Sequence, residues 1–295
     1  MRQYLELVEK VLSEGKMKKN RTRIDTLSIT GGLLEYEWRN NKFPLLTSKK
    51  MYYRAIFTEL EFFIRGLNDK QWLKDRKCNI WNEWCNPKKI PYNNDPETLR
   101  AMEKENDLGL IYGVQWRNFD KREIEIKGSN ESLVYNGVDQ LKYVVNEIKN
   151  NPQSRRIICS AWNPNHLDQM ALPPCHVLWQ ILINTEENTL DLVWFQRSCD
   201  LMLGIPFNLA SYACLQYLLC LESGIYKPGK IVGFLSDLHI YKNHIDAAKL
   251  QLTRNTHELP EIVVEDFSTI FNWDSSKTKI INYVSEDKIK MEVAV

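Results

Sequence analysis

The sequence predicts a mixed α+β (α/β mixed) fold, organised as one domain over residues 1–295. Strand-like and helix-like patterns alternate through the second half, as expected for a sheet flanked by helices. At 295 residues the chain is long enough to bury a substantial core. No internal repeat, low-complexity tract or glycine-rich linker divides it, which favours a single domain.

In the first half, apolar spacing predicts an amphipathic helix at residues 4–12, a strand at 26–29 and a helix at 52–64. Gly66 is a natural end for the second helix. The stretch KMKKNRTR, residues 16–23, is predicted to be a basic loop.

The middle of the chain is more polar. Residues 86–107 are expected to form a surface insertion, and residues 128–137 a loop. A helix is predicted at 138–149, where Asn151-Pro152 ends it, and a strand at 157–162.

The second half contains three predicted strands and two predicted helices. The strands are residues 176–183, 190–196 and 231–235, and the helices are 207–222 and 241–252. The apolar run at 205–221 is interrupted by polar residues and is short for a bilayer span. It is therefore predicted to be a buried helix.

Charge and cysteine content argue against several classes of protein. With 39 basic and 38 acidic residues the formal net charge is +1, which gives no general attraction to DNA, RNA or anionic membranes. The N-terminal residues lack the apolar core of a signal peptide. Seven cysteines without a CxxC pair favour a reducing, cytoplasmic location. Cysteines and histidines do not cluster as zinc ligands would, so no metal is expected.

Cys175, in the sequence MALPPCH (170–176), is the residue of greatest chemical interest. Two prolines restrict the backbone just before it, so the position of the thiol is nearly fixed by the local chain. The β-prone residues 177–184 follow, which places Cys175 at the mouth of a predicted strand. Residues 196–212 add an amide, an arginine, a serine, a carboxylate and an asparagine. A nucleophilic thiol, an arginine that binds an anion and an amide that recognises a pyrimidine would together form a consistent catalytic site.

Two features of the first half also attract attention. Glu59 falls on the apolar face of its predicted helix, where an unpaired carboxylate costs several kcal/mol. Trp81 and Trp84 are three residues apart and share one side of a helical turn. The simplest interpretation of this pair is that both rings pack in the core. A more specific interpretation is that they form an aromatic wall that contacts a flat ligand.

Taken together, the motifs of this chain closely resemble those of the thymidylate synthase family. They extend over essentially the whole chain: FPLLTSKK (43–50), TELEFF (58–63), NIWNEW (79–84), YGVQWR (112–117), SRRIICSAWNP (154–164), MALPPCH (170–176), QRSCDLMLGIPFNLASY (196–212), DLHIYKNH (237–244) and KMEVAV (290–295). Each is weak alone, but their order makes an accidental match very improbable.

The resemblance implies a central mixed β-sheet flanked by helices, with one sheet face forming a homodimer interface. It implies methylation of C5 of deoxyuridine monophosphate (dUMP), with 5,10-methylenetetrahydrofolate as carbon and hydride donor. Cys175 would be the nucleophile that adds at C6, and Arg197 would favour its thiolate. No metal is implied.

The resemblance also assigns the nucleotide-binding residues. Arg197, Ser198 and Arg21 would hold the phosphate, joined by Arg155 and Arg156 from the partner subunit. The remaining roles concern the base and the sugar. Asn208 would read the uracil edge, where a cytosine-selective relative carries aspartate, and His239 and Tyr241 would bind the ribose 3′-hydroxyl.

On the folate side, Asp200 matches the carboxylate that pairs with the pterin, and Val295 matches the tail that closes over the ligands. Trp81 and Trp84 match the aromatic wall. Leu172 and Gly204 complete the expected folate contacts. The implied proton-transfer and hydrogen-bond network consists of Glu59, Tyr112, His176 and Gln196, with Tyr112 helping to remove the C5 proton.

Some positions depart from the family pattern and are expected to lie near the ligand cavity. They are Arg23 and Ile24 in the phosphate loop, Glu61 and Phe62 in the TELEFF helix, and Leu235 and Ser236 before the ribose-binding histidine. They leave two alternatives open: a dUMP hydroxymethylase, in which water replaces hydride at the last step, and a non-catalytic nucleotide- or RNA-binding homologue. Trp81 and the VAV tail favour methylation, in which hydride reduces the one-carbon unit to a methyl group. The complete set of site residues favours an enzyme.

Overall fold

A six-stranded mixed sheet forms the centre of the computed structural model, which describes residues 1–20, 24–125 and 132–292. The strands are β1 (Lys16–Lys18), β2 (Thr26–Glu37), β3 (Arg122–Glu125), β4 (Ser132–Tyr135), β5 (Ile158–Ser160), β6 (His176–Asn184), β7 (Thr189–Asp200), β8 (Lys227–Tyr241), β9 (Glu261–Val264) and β10 (Thr278–Ile281). The helices are α1 (Arg2–Glu14), α2 (Tyr53–Ile64), α3 (Gln71–Asp75), α4 (Pro96–Lys104), α5 (Tyr112–Asn118), α6 (Gln140–Asn150), α7 (Gly204–Ser223) and α8 (Ile245–Leu252). These elements confirm the predicted mixed α+β class.

The strand order in the central sheet is β1-β2-β8-β7-β6-β5. Strands β7 and β8 are parallel and are connected through α7, whereas the other neighbouring pairs are antiparallel. A register shift between His176 and Leu178 marks a bulge at the start of β6. Bulges redirect side chains, and this one lies directly after Cys175.

One face of the sheet is covered by α7, which packs against α2, β7 and β8. By length and composition alone α7 is the one helix, among the described residues, that qualifies as a candidate membrane span, and 67% of its apolar window is buried inside the protein. The ring of Trp194 on β7 stacks on Tyr212 of α7, with centroids 5.5 Å apart. The prediction of a buried helix is therefore confirmed.

The opposite face of the sheet carries a band of exposed apolar side chains. Leu33 on β2 pairs with Phe234 on β8, which pairs with Phe195 on β7, so the three share one face. Their exposed fractions are 39%, 50% and 40%. Leu182 and Ile158 continue the band across β6 and β5. We call these five residues the apolar sheet face.

Most predicted elements are present, with some corrections. The helices predicted at 4–12, 52–64, 138–149 and 207–222 correspond to α1, α2, α6 and α7. The predicted loop 16–23 contains β1, and the predicted loop 128–137 contains β4, since each strand is held by pairing with a neighbour. Tyr241 ends β8 and does not begin a helix, because a 3-10 turn at Lys242–His244 precedes α8.

Strand β8 is much longer than the predicted strand at 231–235. Glycines at 229 and 233 and the polar pair at 236 and 237 interrupt its apolar pattern. Pairing on both sides, to β2 and β7, keeps it extended. Gly233 is required there, because a Cβ would lie 2.3 Å from the Trp194 ring.

Helices α2 and α5 approach closely where both contribute to the site. A Cβ on Gly113 would lie 2.7 Å from Cα and 2.8 Å from the carbonyl oxygen of Phe63. The missing side chain lets the Tyr112 ring stack on Phe63, with centroids 5.0 Å apart.

We predict that Gly113→Ala separates these helices and lowers the free energy of unfolding by about 1–3 kcal/mol, the usual cost of overpacking. Urea denaturation measures the change. Gly204→Ala is the matched control, because its Cβ would make only ordinary contacts at 3.6 Å. Equal stability of the two variants would contradict the packing argument.

Candidate active site

A cavity of about 500 Å³ lies beside the ends of β7 and β8, between α2 and the turn that carries Trp81 and Trp84. Apart from Arg155 and Arg156, every predicted site residue that the structure describes lines it. These residues are Glu59, Trp81, Trp84, Tyr112, Leu172, Cys175, His176, Gln196, Arg197, Ser198, Asp200, Gly204, Asn208, His239 and Tyr241. The predicted residues Arg21 and Val295 lie outside the described part of the chain.

Cys175 lies at the mouth of β6, as predicted, with its side chain partly buried. Its backbone N–H donates to Tyr112 Oη at 2.6 Å, and its carbonyl accepts from the Arg197 N–H at 2.8 Å. The Arg197 guanidinium donates from Nε to the Pro174 carbonyl and from Nη2 to the Pro173 carbonyl, each at 2.8 Å. A cation is thus fixed on the turn that carries the thiol.

Asn208, near the start of α7, faces β7 and is oriented by Gln196. Gln196 Nε2 donates to Asn208 Oδ1 and to the Ser198 carbonyl, each at 3.0 Å. Gln196 Oε1 in turn accepts from Trp194 Nε1 at 3.1 Å. This chain of bonds fixes which end of each amide is the acceptor.

Glu59 is buried, and Trp81 Nε1 donates to its Oε1 at 2.7 Å. Burial raises the pKa of the Glu59 carboxyl to about 7, and the Trp81 hydrogen bond opposes that rise. A carboxyl group with this pKa exchanges protons near neutral pH, as a general acid or base must.

His176 and Tyr112 stack with ring centroids 4.3 Å apart. Burial lowers the pKa of His176 to about 3, and its Nδ1 is 2.7 Å from Tyr212 Oη. Burial also raises the pKa of Tyr112 well above its ordinary value. Both side chains are therefore neutral at physiological pH.

The remaining cavity residues form two walls. Asp200 ends β7, and its Oδ1 accepts from the N–H groups of Met202 and Leu203 at 2.9 and 3.2 Å, just before α7 begins. His239 and Tyr241 lie two apart on β8, with ring centroids 5.3 Å apart. On the other wall the rings of Trp81 and Trp84 meet edge to face at 6.2 Å, and both rings line the cavity.

Arg155 and Arg156 are exposed and lie outside this cavity, at the start of β5. Gln180 Nε2, on the strand beside β5, donates to the Arg155 carbonyl at 2.9 Å. The chain's own fold does not bring either arginine to Cys175.

Sequence reasoning missed three charged residues that line the cavity: Lys18, Glu83 and Asp237. Lys18 and Asp237 form an ion pair at 3.0 Å between β1 and β8. Lys49 was also missed: it lies behind the cavity, where its Nζ donates to the Met202 carbonyl and burial lowers its pKa to about 8. Alternation along β8, extended past residue 235, would have placed Asp237 on the same face as His239 and Tyr241.

Five of the departures from the family pattern do not line the cavity: Ile24, Glu61, Phe62, Leu235 and Ser236. Three of them still lie next to lining residues, since Phe62 and Ser236 adjoin Phe63 and Asp237 in the chain and Leu235 pairs with Gln196. Glu61 is buried elsewhere, where it accepts from Arg65 Nε at 2.7 Å and from the Ser275 N–H at 2.9 Å. Arg23 lies outside the described residues. Among the residues that are described, no group of three or more metal-ligating side chains converges.

One cavity therefore contains a thiol on a turn held by hydrogen bonds, a guanidinium bonded to that turn and an oriented amide. This combination is typical of enzymes that use cysteine as a nucleophile. Comparison with known proteins identifies which such enzymes this chain resembles. The thymidylate synthase family model matches residues 2–295, and the chain belongs to this family.

Several curated relatives cover the entire chain. The thymidylate synthase of Mycoplasma genitalium is 44% identical and that of Mycoplasma pneumoniae 41% identical, each aligned over the full length of both proteins. The bifunctional dihydrofolate reductase-thymidylate synthase of Leishmania major is 40% identical. The chain spans only 55% of the length of that relative.

The raised pKa of Glu59 predicts the direction in which the free energy of unfolding changes with pH. A carboxyl group whose pKa is about 7 in the folded state and near 4.5 in the unfolded state is protonated only in the folded state between these values. Raising the pH through this window therefore lowers the free energy of unfolding, by up to about 3 kcal/mol.

We predict that the wild-type protein loses this stability relative to Glu59→Gln between about pH 4.5 and 7. Denaturant unfolding of both proteins at several pH values measures the difference. His176 contributes the opposite slope, because its folded-state pKa is lowered, but it does so equally in both proteins. Parallel pH profiles would show that Glu59 has an ordinary pKa.

Proposed function

We propose that this chain catalyses the reductive methylation of dUMP to dTMP, the reaction of a thymidylate synthase, a methyltransferase. One observation carries the proposal: Cys175, Arg197 and Asn208 meet at one cavity, on adjacent elements fixed by hydrogen bonds. The names of the full-length Mycoplasma relatives support the same reaction.

In the proposed chemistry, the Cys175 thiolate adds to C6 of the uracil and converts the ring into an enolate that is nucleophilic at C5. 5,10-Methylenetetrahydrofolate supplies the one-carbon unit and the hydride. A bond forms between C5 and the one-carbon unit, the C5 proton leaves, and the bond from that carbon to the folate nitrogen breaks. Hydride from the folate then reduces the carbon to a methyl group while the bond between sulfur and C6 breaks, which leaves dihydrofolate. The Arg197 side chain reaches from β7 to the turn that carries Cys175 and favours the thiolate electrostatically.

Asn208 provides selectivity for uracil in this proposal. Its Nδ2 donates to O4, and the lone pair of Oδ1 not used by Gln196 accepts from N3–H. Cytosine presents an amino group at position 4 and an acceptor at N3, so this orientation disfavours it. His239 and Tyr241 are placed for the ribose, and Ser198 and Arg197 for the phosphate, together with Arg21.

The proton transfers are assigned to the buried groups. Glu59, with a pKa of about 7, organises water and exchanges protons near the uracil carbonyl and the departing folate nitrogen. Tyr112 stays a neutral phenol and assists removal of the C5 proton through water. The neutral His176 completes the hydrogen-bond network without adding charge.

The other side of the cavity fits a reduced folate. Trp81, Trp84 and Leu172 form an apolar wall for a flat ring, and Asp200 offers a carboxylate to a pterin. Gly204 leaves space beside Asp200, whose Cβ would lie 3.6 Å from a side chain there. Trp81 is 5% exposed and shields this wall from water, which favours hydride transfer over attack by water.

The proposal includes a homodimer formed through the apolar sheet face. Exposed apolar side chains that are contiguous across several strands mark an association surface. Arg155 and Arg156 directly precede β5, the edge strand of the central sheet, and lie outside their own cavity. Two-fold symmetry brings each such edge to the partner, where the arginines complete the phosphate site. All seven cysteines carry free thiols, which suits the reducing cytoplasm.

Incubation with dUMP and 5,10-methylenetetrahydrofolate tests the reaction directly. We predict dihydrofolate, seen by absorbance, and a nucleotide heavier by about 14 Da, roughly the mass of one CH₂ group. Deoxycytidylate is the control substrate and is expected to give no product. Cys175→Ser should abolish turnover while still binding dUMP.

Tetrahydrofolate together with a hydroxymethyl nucleotide would instead identify a dUMP hydroxymethylase. Absence of any product, combined with absence of a covalent adduct with 5-fluorodeoxyuridylate and the folate in intact-protein mass spectrometry, would favour a non-catalytic binding protein.

Subunit mixing tests the shared site. We predict that Cys175→Ser and the double variant Arg155→Ala/Arg156→Ala are each nearly inactive alone. After subunit exchange, half the dimers are mixed, and each contains one intact site, so about a quarter of wild-type activity returns.

The matched control mixes Cys175→Ser with Asn208→Ala. Both residues belong to the same chain's cavity, so no mixed dimer has an intact site and no activity returns. Mass spectrometry verifies that the subunits have exchanged. If the arginine variant then still fails to restore activity when mixed with Cys175→Ser, the arginines act within their own chain or have no role in the site.

A further inference from the structure

Lys70 is a fully buried lysine, 0% exposed, immediately before α3. Its Nζ donates three hydrogen bonds, to the carbonyl oxygens of Asn82 at 2.9 Å, Trp84 at 2.7 Å and Met102 at 2.8 Å. A lysine ammonium has three N–H donors, so these three bonds use all of them.

No ion pair joins Lys70 to a carboxylate within the described ranges. Three carbonyl dipoles take the place of a counter-ion. Burial, followed by the neighbouring charge of Lys74, lowers the pKa of Lys70 to about 8, so the ammonium form still predominates at neutral pH. Burying a charge costs folding free energy. Proteins retain a buried charge where its hydrogen bonds hold the surrounding backbone in one particular arrangement.

Two of the three carbonyls belong to the turn that presents Trp81 and Trp84 to the cavity. Trp81 also donates to Glu59 at 2.7 Å, so a displacement of this turn would disturb both the aromatic wall and the Glu59 carboxyl. Within the turn the backbone bonds are few: Asn82 N–H to the Asn79 carbonyl and Trp84 N–H to the Trp81 carbonyl, each at 3.2 Å.

The third carbonyl belongs to α4, inside the segment 86–107 that the sequence marked as a polar insertion. The Lys70 backbone N–H also donates to the Asn106 carbonyl at 2.8 Å, and Met102 is 3% exposed. The segment therefore packs around Lys70, and neither Lys70 nor the segment lines the cavity.

We propose that Lys70 is a positioning residue, which holds the Trp81–Trp84 turn in its binding position and uses segment 86–107 as the support. The effect on folate binding rests on the proposed function, in which this turn forms the wall that contacts the folate. The positioning of the turn by Lys70 does not depend on that function. Lys70 touches no ligand and acts through the turn.

Hydrogen–deuterium exchange compares the wild-type protein with Lys70→Met, which keeps the length of the side chain but removes the donors. We expect exchange in residues 80–86 and 99–104 to rise by about 10-fold, since the opening of a segment becomes easier by about 1.4 kcal/mol for that factor. Exchange in β7 and β8 should be unchanged. This readout needs no catalytic activity, so it stands even if the proposed reaction is wrong.

Lys74→Met is the matched control. Lys74 Nζ donates to the Glu103 carbonyl at 2.9 Å and to Asn106 Oδ1 at 3.1 Å, so it supports the same segment without bonding to the tryptophan turn. Its removal should leave exchange in residues 80–86 as in the wild type. If Lys70→Met does not fold, Lys70→Gln, which retains two donors, takes its place with a smaller expected rise.

Steady-state kinetics then separate positioning from general destabilisation. We expect Lys70→Met to raise the KM for 5,10-methylenetetrahydrofolate by about 10-fold and to leave the Kd for dUMP unchanged, with Lys74→Met unaffected in both. Wild-type exchange in residues 80–86 in a folded Lys70 variant would overturn the proposal. So would an equal weakening of dUMP and folate binding.

Discussion

Arg197 fastens the turn that carries Cys175 to strand β7, and the rest of the site depends on this attachment. The guanidinium bonds two consecutive proline carbonyls, and the Arg197 backbone bonds the Cys175 carbonyl, so the thiol and the cation move as one unit. Gln196, the adjacent residue on β7, orients Asn208 on α7. Two neighbouring positions on one strand therefore set both the nucleophile and the base-reading amide.

Burial sets the protonation states around this unit, and it does so differently for each group. The carboxyl of Glu59 gains a pKa of about 7, whereas His176 and Tyr112 are both held neutral. Under the proposed function the site binds a dianionic phosphate and forms a thiolate, and neutral neighbours then avoid competing charges near the pyrimidine ring. Of Glu59, His176 and Tyr112, only Glu59 has a pKa that allows proton exchange near neutral pH.

The sequence predicts those parts of the site in which local chemistry decides geometry. The two prolines restrict the chain at Cys175, and period-two alternation puts His239 and Tyr241 on one face. The sequence does not predict the geometry where it depends on a contact between residues that are distant in the chain. The length of β8 depends on Gly233 lying under Trp194, and the partners of Lys70 are backbone carbonyls, which have no signature in the sequence. Under the proposed function Arg155 completes the phosphate site of a partner subunit, a position that the spacing of the chain's own residues does not predict.

The departures in the TELEFF helix illustrate the same distinction. Two residues along an α-helix differ by about 200° around its axis, so Glu59 and Glu61 point to nearly opposite sides. Glu59 faces the cavity, and Glu61 faces the 3-10 turn Ser275–Lys277, where Arg65 and the Ser275 N–H satisfy its carboxylate. A carboxylate at position 61 thus changes how α2 packs on the C-terminal part of the chain. It adds no charge to the cavity, whose lining keeps the residues that the family resemblance predicts, among them Glu59, Trp81, Cys175 and Asn208.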